Sequence, residues 1–197
     1  MVDSSRKFAG AGWFSLVWLA LNAAGWGLGF ELEFLLIHAT GAGGIATLFG
    51  SLISAGVIGL AEWLALRWMM PRLAPGSQGI AWVILTMFGF SAGFVVGSIV
   101  AGLIGTGAAP LPLALVTFIS WALVGAMTGI MQWTSLRMVA RGAIWWVAAN
   151  ALGYGLGAFA TSIIRMDQSS IPYTYALTGL IVGITTLVAL FRLRRPD

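Results

Sequence analysis

Six long stretches of nearly unbroken apolar residues alternate with short polar breaks, at about 8–30, 41–66, 80–105, 112–136, 143–164 and 173–191. A helix needs about 20 residues to cross the hydrocarbon core of a bilayer, and each stretch is of that order. The pattern predicts six membrane-spanning helices. The breaks agree. Pro71 to Gly79 reads Pro-Arg-Leu-Ala-Pro-Gly-Ser-Gln-Gly, with Ser77 suited to cap the third helix. Pro110 and Pro112 suit the first turn of the fourth, and Ser170-Ile171-Pro172 opens the sixth. The runs are too long and too rich in Gly and Ala for the alternation of a barrel strand.

Composition sharpens this picture. Charged residues make up 8% of the 197, against roughly 25% in globular proteins. The apolar set reaches 59%, and the mean hydropathy is +0.96. A compact soluble fold has no means of covering so much apolar surface, which excludes an ordinary soluble enzyme domain, a disordered chain and a nucleic-acid binder. Cysteine is absent, so no disulfide, iron–sulfur or thiolate metal site is available. The start, Met1 to Lys7 before an apolar run, imitates a signal peptide, but that run belongs to an internal repeat and is read as the first span. The whole of 1–197 reads as one integral membrane domain.

Charge placement fixes an expected orientation. Arg6 and Lys7 precede the first span, Arg67 and Arg72 follow the second, Arg137 and Arg141 the fourth, and Arg192, Arg194 and Arg195 the sixth. Only Arg165 falls on the other side. The positive-inside rule then puts both termini in the cytoplasm. Trp13, Trp63, Trp68, Trp82, Trp133, Trp145 and Trp146 fall near the same interface and are expected to form its aromatic belt, with Tyr173 and Tyr175 at the outer one.

The chain also repeats itself. Trp18, Trp82 and Trp146 recur at a spacing of 64, as do Asn22, Thr86 and Asn150; Gly25, Gly89 and Gly153; and Gly29, Gly93 and Gly157. The even stretches echo one another through Gly59 and Glu62, Gly125, Gly129 and Gln132, and Gly179, Gly183 and Thr186. The expected fold is all-α, a bundle of three repeated helical hairpins pointing the same way. These features resemble a loose group of small polytopic bacterial membrane proteins. Their hairpins repeat a Gly-rich helix and a (Gln/Glu)-Trp-x-x-Leu-Arg helix end, here Glu62–Arg67 and Gln132–Arg137. The resemblance implies the inner (plasma) membrane of a bacterium and an association with photosynthetic bacteria, and it transfers no functional residue.

Helical spacing places Asn22, Gly25 and Gly29 on one face, likewise Thr86, Gly89, Gly93 and Gly97, and Asn150, Gly153 and Gly157. Small residues at these intervals let helix backbones approach where lipid removes the usual hydrophobic drive; Gly125 with Gly129 and Gly179 with Gly183 make similar grooves. The alternative is that the glycines leave room for a flat ligand. Polar side chains on these faces are costly in lipid and must find partners. Asn22, Thr86, Asn150, Glu62 and Gln132 are therefore expected to converge, either as interhelical hydrogen bonds or as a binding site for a headgroup, ion or small solute. Glu31, Glu33 and His38 form the one acidic and imidazole cluster, read as a solvated helix end facing Arg165, with His38 a pigment or metal ligand in the alternative. No metal-site spacing is recognised.

Two motifs are decoys. Gly89-Phe-Ser-Ala-Gly93 spells a hydrolase elbow, which needs a strand–turn–helix, and Gly41-Ala-Gly-Gly44 lacks the Lys-Ser/Thr of a phosphate loop. A six-helix intramembrane serine protease would need a Ser–His pair, and the single His lies at the far end of the first helix. The chain is expected to be a non-catalytic subunit or accessory protein of a membrane complex, packed among lipids and other membrane subunits. It would hold a lipid, quinone, carotenoid or chlorophyll. The alternative is a small-solute transporter or substrate-binding component with its site near Glu62 and Asn150, similar in size and helix count to the vitamin-capture subunits of energy-coupling transporters.

Overall fold

The computed structural model describes residues 4–41, 43–69, 78–105, 111–164 and 171–193. Six helices account for nearly all of them: α1 (Ser4–Thr40), α2 (Gly44–Met69), α3 (Gln78–Gly105), α4 (Leu113–Leu136), α5 (Ile144–Ile163) and α6 (Ile171–Arg192). Ser77 and Pro110 lie outside the described residues, whereas Pro112 is the residue that caps α4. The first helix runs ten residues past the expected end at 30. Leu32 and Phe34 to Ile37 continue its apolar character beyond the two glutamates that suggested a break.

Five helices are long and apolar enough to cross a membrane; α5 is the exception. With 20 residues it is the shortest, and it carries Asn150, Tyr154 and two tryptophans. These polar and amphipathic side chains dilute its hydropathy because they are turned inward: Trp146, Asn150 and Tyr154 are all buried.

Each helix packs against its neighbours in the chain, and α6 closes on α1, so the six form a ring; no other pair of helix backbones comes together among the described residues. Glycine makes the ring tight. A methyl group built at Gly25 would lie 2.8 Å from the Ala61 Cβ, and one at Gly29 2.8 Å from the Ser54 carbonyl oxygen, both on α2. Gly89, Gly93 and Gly97 meet α4 backbone in the same way, at Thr128, Val124 and Ser120, and Gly153 and Gly157 meet α6 at Val182 and Thr178. The glycines of the even helices face the next hairpin: Gly125 and Gly129 press on Asn150 and Val147, Gly179 and Gly183 on Asn22. Residue numbers rise along one helix as they fall along its neighbour, so neighbouring helices are antiparallel. The glycine ridges are thus used up inside the molecule. The outward faces are lined instead by exposed Leu16, Leu28, Phe88, Leu152 and Val188, which suits contact with lipid chains.

Aromatic rings fill the centre in two layers. Trp146 lies between Trp18 and Trp82, with ring centroids 6.0 and 5.8 Å away. Two turns along each helix, about 12 Å by helical rise, Trp26, Phe90 and Tyr154 make a second layer, with centroids 4.7 to 6.3 Å apart. Trp82 and Trp146 therefore belong to the core and not to an interfacial belt. An indole near the end of an apolar run fits either place, and here the helices turn it inward, where its N–H finds an acceptor. Trp13, Trp68 and Trp145 are exposed. Arg67 lies over the Trp63 ring at 5.1 Å and Arg137 over Trp133 at 4.8 Å, one helical turn apart in each case.

Candidate functional site

Between the two aromatic layers runs a band of polar side chains. Each tryptophan of the first layer donates its indole N–H to a residue of the preceding even helix, taking α6 to precede α1 in the ring. Trp82 reaches the Glu62 carboxylate at 3.2 Å, Trp146 the Gln132 Oε1 at 2.7 Å, and Trp18 the Thr186 hydroxyl at 3.1 Å together with the Gly183 carbonyl at 3.0 Å. One turn further along, Asn22, Thr86 and Asn150 each donate to the backbone carbonyl of that tryptophan, at 3.0, 2.9 and 3.0 Å. Gly183, Gly59 and Gly129 press on the side chains of these three residues; a Cβ at Gly59 or Gly129 would clash, and one at Gly183 would make Leu19 and Asn22 give way.

Gln132 ties the band together. Its Nε2 donates to Glu62 Oε2 at 2.7 Å and to the Thr86 hydroxyl at 2.9 Å while its Oε1 accepts from Trp146. Of the five residues expected to converge, Glu62, Gln132 and Thr86 are directly bonded. Asn22 and Asn150 lie at the same level on α1 and α5, bonded within their own helices. All five are at most 1% exposed. The satisfaction is incomplete: Glu62 Oε1, Asn22 Oδ1 and Asn150 Oδ1 have no hydrogen-bond partner, nor do Trp26 Nε1 and the Tyr154 hydroxyl in the layer beyond.

The acidic cluster of α1 is a solvated helix end only in part: Glu31 is half-buried and His38 exposed, but Glu33 turns inward. Glu33 is buried against α2, where Ser54 donates to its Oε2 at 2.8 Å and its stem lies over Gly50. The paired small residues Gly50 and Ser54 make the recess that takes it. Arg165, the partner expected for the cluster, lies outside the described residues. His38 is exposed, one ring nitrogen 3.0 Å from the Phe34 carbonyl and its ring against Phe34. Among the described residues no three His, Asp or Glu side chains come together as a metal site.

A cleft of about 200 Å³ opens beyond the second aromatic layer, between α4, α5 and α6. Trp26, Trp121 and Tyr175 give it aromatic walls, and Thr117, Thr161 and Thr178 line it with hydroxyls. Those hydroxyl protons are committed to carbonyls of their own helices, which leaves oxygen lone pairs facing the cleft. Tyr175 is held by Phe30, stacked at 3.7 Å and nearly parallel. Sequence reading did not single out this region or the second layer. The signal was there as a fifth recurrence at 64, Trp26, Phe90 and Tyr154, masked because the residue type changes each time.

These features define a multi-pass helical membrane protein. No known family, curated protein or solved structure matches the chain.

Proposed function

We propose that the chain is a non-catalytic accessory protein or subunit of a larger membrane assembly, built as three copies of one helical hairpin with both termini in the cytoplasm. The observation that carries this reading is the interior: two interlocked aromatic layers fill the ring on either side of the polar band. Among the described residues that is the build of a scaffold with a filled interior. The matched Trp–acceptor bonds at Glu62, Gln132 and Thr186 support the repeat. The concentration of arginines at one end supports the orientation.

The cleft beside Trp26 is the place for a lipophilic guest. At about 200 Å³ it falls below the usual range for drug-sized ligands, so it suits part of a lipid or a quinone ring better than a tetrapyrrole. The transporter reading draws support from the unpartnered oxygens at Glu62 and Asn150. The aromatic layers above and below them count against it.

Gentle extraction of the native protein, followed by identification of co-eluting polypeptides, lipids and pigments, tests the proposal. Stoichiometric partner chains are expected. A lone chain that moves a solute across vesicle membranes would overturn it.

A further inference from the structure

We propose that the polar band holds one alkali-metal cation, bound by Glu62 Oε1 and by the Oδ1 atoms of Asn22 and Asn150. The inference stands apart from the accessory-subunit reading, since a scaffold and a transporter can each carry a structural ion.

The ligand set follows from the hydrogen bonds. Asn22 and Asn150 spend Nδ2 on the carbonyls of Trp18 and Trp146, which fixes each amide so that Oδ1 is left as an acceptor. Glu62 Oε2 takes both Trp82 and Gln132, and Oε1 takes nothing. The indole protons of Trp18, Trp82 and Trp146, the Gln132 amide protons and the Thr86 and Thr186 hydroxyl protons are already committed. Three fully buried acceptor oxygens therefore lie in one band.

Their positions along the helices put them at one level of the bundle. Rings on α1 and α5 meet on both sides of the band, Trp18 against Trp146 and Trp26 against Tyr154 at 4.7 Å. Asn22 and Asn150 each stand midway between those contacts. The Glu62 carboxylate is held at the same level by Trp82 and by Gln132, whose own partner is Trp146.

Chemistry then selects the guest. A water molecule has two protons for three acceptors and brings lone pairs of its own, so it exchanges one deficit for another. A monovalent cation satisfies all three oxygens and cancels the Glu62 charge, whereas a divalent one would leave a net positive charge in an apolar interior. Carboxylate and amide oxygens are hard ligands that suit an alkali ion. A fourth unpartnered oxygen, the Tyr154 hydroxyl, lies one turn on from Asn150.

The test uses the full chain in detergent, exchanged into choline chloride. Elemental analysis is expected to find about one sodium or potassium ion per chain. Thermal unfolding at constant ionic strength should rise in a saturable way with one of the two salts, by about 5–10 °C at a hundredfold excess over Kd. Glu62→Gln should lose the ion and the salt response with its helix content unchanged, while Glu33→Gln, outside the band, should keep both. Absence of bound alkali ion, together with equal unfolding temperatures in choline, sodium and potassium chloride, overturns the proposal and leaves a proton on Glu62 as the neutralising species. The wild-type measurements decide the matter even if Glu62→Gln does not fold.

Discussion

Gln132 donates to Glu62 at 2.7 Å across two helices, α4 and α2, whose backbones do not pack against each other. The bond spans the interior of the ring and links side chains 70 positions apart in sequence. Removing one partner alone leaves buried polar atoms unpaired, which costs far more than the bond itself contributes. Gln132→Leu is expected to destabilise the protein by about 3 kcal/mol or more, because Glu62, Thr86 and Trp146 all lose a partner. The double variant with Glu62→Leu should recover part of that loss. A double-mutant cycle by thermal unfolding in detergent measures the coupling, and strictly additive losses would contradict it.

Glycine positions separate into two kinds. A methyl group at Gly93 would lie 2.6 Å from the Val124 Cα, and backbone has nowhere to go, whereas one at Gly102 meets nothing within 4 Å. Gly93→Ala should therefore lower stability by about 1–3 kcal/mol through overpacking. Gly102→Ala should raise it by about 0.5–1 kcal/mol by stiffening the helix. Comparing the two unfolding temperatures checks both signs at once.

Between α4 and α5 the chain turns at Gly142, whose φ is +76°, in the left-handed region. Gly142→Ala should cost about 1–2 kcal/mol from Cβ crowding, and Gly142→Asn noticeably less, since Asn tolerates that conformation. Equal stability for all three forms would show that the turn relaxes to another geometry.

The absence of cysteine makes orientation directly testable. Thr40 ends α1 and Met138 follows α4, both exposed. In intact spheroplasts a membrane-impermeant maleimide should label Thr40→Cys and spare Met138→Cys until the membrane is opened. The reverse pattern would place the arginine-rich end outside.

Much of the architecture was legible because lipid imposes simple length and composition rules: helices read as long apolar runs, and breaks as Pro and Gly clusters. The glycine faces were legible for the same reason, since a bare backbone at three- and four-residue spacing has few uses in a membrane other than close approach. Gln132, Glu62 and Thr86 were legible as groups that lipid would not leave unpaired. What stayed hidden was which way a residue faces. A helix that is apolar all round has no amphipathic side to reveal its inner face, so Trp82 and Trp146 read as interfacial although they fill the core. Glu33 was hidden likewise, because its recess is made by Gly50 and Ser54 on another helix. The helix α5 misled in the opposite direction: a run read as an ordinary span is the one helix not long and apolar enough to count as one, since its polar residues serve the band.

The contact between α1 and α6 has a consequence for biosynthesis. Trp18 finds its acceptors, Thr186 and the Gly183 carbonyl, 168 and 165 residues downstream. While a ribosome is still making the later hairpins, the inserted N-terminal half must carry an unpaired indole N–H and an uncovered face of α1, with Leu19, Asn22 and Trp26, within the bilayer. Closure comes last, so truncated or stalled products would expose that face and be the natural substrates of membrane proteolysis.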